Sequence, residues 1–308
     1  MNKRPVIVCT DPGIDDFIAL CMLMHREELE LLGLISLSGN VGLDITVNNA
    51  LVAAELCGRE EIPVLAGSAK PLARPARSAC NIHGVSGLGK SVERYSARKP
   101  APDDAADFIC RMADRYPGEL ELVSLGPLTD VALALRKDPS IAGKIKNILV
   151  MGGGINRGNA TPYAEFNIVA DPEAAALVFA SGAPVTMVGL DATHQCVMPR
   201  SAIARLAADS ELGKMVPAML NDYTDIYQSV HRIDGMIIHD AICAVWLWHP
   251  EWFGSRRWDV RICLDENEHL GQTVADETLP GTCTVVMETD AKKVNEEILS
   301  MMEKIVKA

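Results

Sequence analysis

Pro5-Val-Ile-Val-Cys-Thr-Asp-Pro-Gly-Ile-Asp-Asp16 is the stretch on which the reading of the fold turns. Residues 5–9 form a short apolar run bounded by turn residues, which reads as a buried strand. Pro12-Gly13 punctuates the run, and Asp15 to Met24 reads as a helix. A buried strand that turns straight into a helix opens a βα unit.

The same rhythm continues outward. Strands are expected over 31–37, 63–65, 120–125, 145–151 and 185–188, with helices over 44–57, 128–136 and 172–180. Val294, Ile298, Met301, Met302 and Ile305 share one face of a C-terminal helix. The expected fold is α/β: one doubly wound, mostly parallel sheet flanked by helices, with a Rossmann-like core. Residues 67–102 are rich in proline and small residues and read as a long functional loop. Residues 200–250 read as mostly helical. No repeat, low-complexity tract or linker divides the chain, so residues 1–308 are expected to form a single domain.

Composition narrows the partners. Apolar residues make up 48% and charged residues 23%, as in globular proteins. Lys and Arg number 29 against 41 Asp and Glu, a net charge of −12, which argues against a nucleic-acid backbone as ligand. The nine cysteines are odd in number and contain no CxxC, so free thiols in a reducing, cytoplasmic setting are expected. No signal peptide is read, and no apolar run reaches the ~18 residues of a membrane span, so no membrane partner is expected.

Ligands of open parallel sheets bind at the carboxyl ends of the strands. Asp11, Asp15 and Asp16 follow the first strand, and three carboxylates so close repel unless something neutralises them. A hard divalent cation, Ca²⁺ or Mg²⁺, does this best with oxygen ligands. The rival reading is an Asp-rich start to a solvated helix; it suits Asp15 or Asp16 alone, but Asp11 is held at the end of a buried strand. Asn40, Asn159, Glu165, Asn167 and His239-Asp240 also follow strands or stand in turns. Singly, each also reads as a turn residue, a surface charge or a helix cap.

Asp11-Pro-Gly-Ile-Asp-Asp16, Gly152-Gly153, Ala164-Glu-Phe-Asn167, Asp171-Pro-Glu173 and His239-Asp240 together resemble the inosine-uridine-preferring nucleoside hydrolase family, in order and over nearly the whole chain. The resemblance implies Ca²⁺ at the sheet edge and hydrolysis of the N-glycosidic bond of a purine or pyrimidine ribonucleoside, in nucleoside salvage. It implies Asp11, Asp16, Asp240 and the Leu125 carbonyl as metal ligands. Asp11 would be the general base and His239 the leaving-group acid. Asp15, Asn40, Asn159, Glu165 and Asn167 would hold the ribose. His83, Met151, Phe166, Tyr223 and Tyr227 would line the base pocket. A homodimer or homotetramer is implied as well. The chain departs from the family pattern at Cys9 and Ser86, where Asp is usual; altered hydrogen bonding behind the metal site and altered anchoring of the His83 loop are expected.

Three other patterns are weaker. Gly84-Val-Ser-Gly-Leu-Gly-Lys-Ser91 fits the phosphate-binding GxxxxGK[ST], but no strand precedes it and Pro100 limits any helix after it. A haloacid-dehalogenase-like phosphatase would want DxD where Asp11-Pro-Gly13 stands. A nucleoside-binding protein without catalysis remains the non-enzyme alternative.

Overall fold

The computed structural model describes residues 3–278 and 281–308. Strand β1 (Arg4–Thr10) has both faces covered, and every residue from Pro5 onward is buried. Its side chains alternate between two cores: Val6 and Val8 enter one, Ile7 and Cys9 the other. Burial on both sides explains why it reads as an unbroken apolar run.

The other strands are β2 (Leu29–Ser36), β3 (Val64–Ala66), β4 (Glu121–Ser124), β5 (Asn147–Met151), β6 (Val185–Val188), β7 (Phe253–Ile262), β8 (Thr273–Asp276) and β9 (Cys283–Thr289). The sheet order is β3-β2-β1-β4-β5-β6-β9-β7-β8. Pairing is parallel from β3 to β9, and antiparallel between β9 and β7 and between β7 and β8. The chain winds one way from β1 to β2 and the other way from β4 onward. The strand ends of β1 and β4 therefore flank the topological switch point, where such sheets bind ligands.

The helices are α1 (Ile14–Met24), α2 (Leu43–Leu56), α3 (Cys80–His83), α4 (Ala105–Arg115), α5 (Thr129–Lys137), α6 (Phe166–Ala170), α7 (Pro172–Ala180), α8 (Leu190–Thr193), α9 (Glu211–Ile226), α10 (His239–Trp246) and α11 (Ala291–Lys307). Helices α1, α2, α9, α10 and α11 cover one face of the sheet; α4, α5 and α7 cover the other. No helix among the described residues is long and apolar enough to cross a membrane.

The expected α/β architecture is present, with two additions. Strands β7 to β9 were not legible: β7 carries Arg256, Arg257, Asp259 and Arg261 and is largely open to solvent, so it lacks the apolar run of the parallel strands. Helix α4 was also not read; Asp104 caps it, its side chain accepting from the Asp107 amide at 2.9 Å. The rival reading of Asp15 and Asp16 as the start of a solvated helix fails. Helix α1 is not solvated on any side, and all its residues, Asp15 and Asp16 included, are buried under α2, α9, α10 and α11.

Candidate active site

The Asp11 carboxylate stands at the end of β1, clamped between two glycines. A Cβ at Gly39 would lie 2.0 Å from Asp11 Oδ2, and one at Gly126 would lie 2.3 Å from Oδ1, so both positions need glycine. Oδ2 accepts the Asn40 amide at 2.7 Å. Oδ1 is buried and has no hydrogen-bond partner among the described residues. A buried, unpaired carboxylate oxygen is costly and points to a ligand.

Asp16 lies one turn into α1. Its Oδ1 accepts from the Thr10 hydroxyl at 2.6 Å, and its Oδ2 accepts from the Gly13 amide at 3.0 Å and Asn40 Nδ2 at 3.1 Å. Asp240, in the first turn of α10, comes close to it. Oxygens of Asp15, Asp16 and Asp240 lie within 4.8 Å of one another, and all three residues are buried. This trio differs from the expected Asp11, Asp16 and Asp240: Asp15 stands in the cluster, and Asp11 adjoins it. Burial, then the mutual charges, push the Asp11, Asp16 and Asp240 carboxyls above their ordinary range. Burial raises Asp15 to about 6.

Beside the cluster, Asn167 Nδ2 donates to the Leu125 carbonyl at 2.7 Å and the Met151 carbonyl at 3.0 Å, tying the ends of β4 and β5 together. Glu165 caps α6, accepting from the amides of Asn167, Gly153 and Ile168 at 2.9, 3.0 and 3.1 Å. Despite these donors, burial pushes its carboxyl up to about 7. Asn159 Oδ1 accepts the Phe166 amide at 2.8 Å. Asn40 donates through Nδ2 to the Asp11 carbonyl at 3.2 Å as well as to Asp16, so its amide braces the carboxylates.

The other wall is aromatic. His83 Nδ1 accepts the Ile14 amide at 3.2 Å, so the proton of the neutral ring sits on Nε2. Burial lowers His83 to about 4, which removes it as a cationic acid near neutrality. Its ring stacks on Tyr223 with centroids 5.6 Å apart, and Tyr223 meets Tyr227 edge-on at 4.9 Å. The Tyr227 hydroxyl lies 2.9 Å from His239 Nε2, and His239 Nδ1 lies 2.8 Å from Thr193 Oγ1. A hydrogen-bonded row therefore runs Tyr227, His239, Thr193, with the Tyr223 ring packed edge-on against Tyr227.

A cavity of about 440 Å³ opens between the two walls. Asp15, Asn40, His83, Leu125, Met151, Asn159, Glu165, Phe166, Asn167, Tyr223, Tyr227, His239 and Asp240 all line it, whereas Asp11 and Asp16 are fully buried behind them. Arg77, Ile82 and Val230 line it too, and sequence reading missed them and Thr193. The proline-rich loop was the one signal for Arg77 and Ile82; Thr193 and Val230 had none.

The two departures resolve simply. Cys9 is a buried member of the core under the sheet. Ser86 anchors its own loop, with Oγ 2.9 Å from the Gly89 carbonyl and accepting the Leu88 amide at 3.2 Å. In the phosphate-loop lookalike, the Lys90 and Ser91 amides donate to the Asp222 carboxylate at 2.8 and 2.7 Å, so no phosphate cradle forms. No helix follows it before α4.

Residues 6–296 match the model of the "Inosine-uridine preferring nucleoside hydrolase" family. The chain is 38% identical over 280 residues to the pyrimidine-specific ribonucleoside hydrolase RihB of Shigella sonnei, covering 90% of this chain and 88% of that one. It is 36% identical over 281 residues to uridine nucleosidase 1 of Arabidopsis thaliana, covering 90% and 83%. The solved purine-preferring ribonucleoside hydrolase of Gardnerella vaginalis superposes with a TM-score of 0.94 at 29% identity, over 99% of both chains.

Proposed function

The chain belongs to the inosine-uridine preferring nucleoside hydrolase family, and from that premise we propose how its cavity works and on what. It is an N-ribosyl hydrolase acting on ribonucleosides. The proposed reaction is calcium-dependent cleavage of the N-glycosidic bond to free base and ribose. One observation carries it: the unpaired, buried Asp11 Oδ1 beside the buried Asp15, Asp16 and Asp240 carboxylates, under a cavity of nucleoside size.

The donor set fits a hard divalent cation, because every candidate ligand is an oxygen. Asp11, Asp16, Asp240 and the Leu125 carbonyl would hold it, with Asp15 close enough to share. When bound, calcium supplies the charge that keeps these carboxyls ionised, and it acidifies a water beside the sugar.

The chain's own residues do the rest. Asp11 accepts the proton of the attacking water as general base. Asp15 and Asn167 orient the ribose diol, and Glu165 and Asn159 hold its 5′ end. The carboxylates stabilise the positive charge that develops on the sugar in an oxocarbenium-like transition state. The departing base needs a proton. His239 is the acid, and its contact with Tyr227 gives that proton a path to the base side of the cavity. His83 and Tyr223 wall the base without donating charge.

Purified protein incubated with inosine and with uridine should release ribose from at least one of them, measured as reducing sugar. Base release without free ribose, or no cleavage of any ribonucleoside, would refute the proposal.

A further inference from the structure

Asp222 stands one residue before Tyr223 on α9, buried and outside the cavity lining. Its carboxylate holds the loop that follows α3. Oδ2 accepts the Lys90 amide at 2.8 Å and the Ser91 amide at 2.7 Å, and Oδ1 accepts the Ser91 hydroxyl at 2.9 Å. The residue before them, Gly89, donates its amide to the His83 carbonyl at 2.8 Å. Contacts therefore lead from Asp222 through residues 89–91 to His83, whose ring stacks on Tyr223. Both rings of that stack are fastened to one turn of α9: Tyr223 by the main chain, His83 by way of the Asp222 carboxylate.

The loop has further anchors on α2. Asn49 is buried, and its Nδ2 donates to the Ser86 carbonyl at 2.9 Å and to the Pro12 carbonyl at 3.0 Å. Pro12 follows Asp11, so Asn49 sets the loop against the strand end that carries the carboxylates. Asn48 holds it further along, donating to the Arg94 carbonyl at 2.8 Å and accepting the Ser96 amide at 3.0 Å.

We propose that Asp222 is a positioning residue for nucleoside binding, one that fixes His83 against Tyr223 and so shapes the base wall, a role that rests on His83 and Tyr223 facing the nucleobase as proposed above.

Two main-chain amides and a hydroxyl converge on one carboxylate, and hydrogen bonds to an ionised acceptor are the strong ones. Without that carboxylate the amides find their partner in water, which draws the loop off α9. His83 follows through its bond to Gly89. A neutral wall touches the base alike in the ground state and the transition state, so its loss removes uniform binding, which raises KM and leaves kcat nearly intact. Charge itself matters less than the placement of the acceptors. Lys90 Nζ lies 3.8 Å from Oδ1 but is largely exposed, so that ion pair contributes little. Asparagine has the shape of the carboxylate: its oxygen can serve both amides, and its Nδ2 can donate to the Ser91 hydroxyl oxygen. Asp222→Asn should therefore keep the loop in place, whereas Asp222→Ala should release it.

The test compares the wild type with Asp222→Ala, Asp222→Asn, Ser91→Ala, His83→Ala and the double variant Asp222→Ala/His83→Ala. Hydrogen exchange, read without substrate on peptides covering residues 84–96, should be at least about tenfold faster in Asp222→Ala and close to wild type in Asp222→Asn. On whichever of inosine and uridine the wild type cleaves, Asp222→Ala should raise KM roughly tenfold and change kcat by less than about threefold. Free ribose should inhibit it as it inhibits the wild type, because the sugar side is untouched. Ser91→Ala removes one contact and spares the buried carboxylate; its KM should rise about threefold in the same pattern. In the His83→Ala background, loss of Asp222 should add little, since the two act through one wall. A wild type that cleaves no ribonucleoside would overturn the reading of the cavity and this role with it. A fault confined to the variants overturns the Asp222 assignment alone: unchanged exchange in Asp222→Ala, wild-type KM in both Asp222→Ala and Ser91→Ala, ribose inhibition weakened as much as nucleoside binding, or a full tenfold further loss on top of His83→Ala.

Discussion

The two walls of the cavity, the one proposed to hold the sugar and the one proposed to hold the base, are built by different means. The sugar wall hangs on strand ends: Asp11 follows β1, Leu125 follows β4, and Asn167 ties the Leu125 carbonyl to that of Met151 in β5. The base wall is assembled from α3, the end of α9, the turn that follows it and the start of α10, joined by ring contacts of Tyr223 and by side-chain hydrogen bonds from Tyr227 to Thr193. Main-chain hydrogen bonds of a parallel sheet fix the first wall. The second depends on how separate helices pack, so it has more room to vary without loss of the fold. The family relatives fit this division, since they carry pyrimidine-specific and purine-preferring names on one architecture.

The division makes ordered forecasts. The largest effect should come from the substrate's own sugar. A site that hydrogen-bonds a hydroxyl rejects an analogue without it by roughly 10⁴-fold. kcat/KM for 2′-deoxyinosine should fall by that order against inosine, and near-equal values would break the sugar-wall assignment.

Next is Asp11→Asn, which keeps the shape but removes the base. kcat should drop by roughly 10³-fold while nucleoside binding, measured by calorimetry, persists. A variant that turns over normally would move the general base elsewhere.

The base wall should respond less, and in a manner that depends on the leaving group. His239→Ala should cost roughly 10²-fold on inosine and little on a p-nitrophenyl riboside, whose leaving group needs no proton. Equal losses on both substrates would make His239 a structural residue. Tyr227→Phe removes one hydroxyl from the row and should cost about tenfold on inosine, the worth of one hydrogen bond of ~1.4 kcal/mol. An unchanged rate would take Tyr227 out of the proton path.

How much of this was legible follows the same division. The sugar wall could be read in part because Asp11 and Leu125 stand directly after strands, and strand ends are marked locally by apolar runs and Gly/Pro turns. Asp11 and Asp16 were legible for that reason; Asp240, which opens α10 with no strand before it, and the main-chain role of Leu125 came only through the family resemblance. The base wall was harder. Tyr223 and Tyr227 stand four residues apart, and that spacing suggested a stacking platform. The structure buries both rings along the cavity and brings the Tyr227 hydroxyl to His239, a contact between distant segments. Thr193 carried no signal because its partner is 46 residues away. Asn40 was read as a ribose ligand; it lines the cavity, and its Nδ2 also braces Asp11 and Asp16, which only three-dimensional contacts reveal. Strand β7 was missed because it packs on one side only, and its exposed arginines masked the pattern.

The smallest forecast concerns stability. Glu165 is raised from its ordinary 4.5 to about 7, so its contribution favours folding at low pH and is lost as pH rises through that window. The Tm of chelator-treated protein should therefore decline between about pH 5 and 7. Glu165→Gln should flatten that decline by a few degrees, since 1 kcal/mol is worth about 2 °C in a chain of this size. An identical slope in the variant would mean that Glu165 is ionised throughout.

The central claim is that the buried carboxylates at the ends of β1 and α1 work only around a calcium ion. Protein dialysed against EDTA and then freed of chelator should be assayed for ribose release from inosine and uridine, before and after addition of Ca²⁺. The account predicts no turnover without the ion and full recovery with it. Undiminished ribose release from the stripped protein would contradict it.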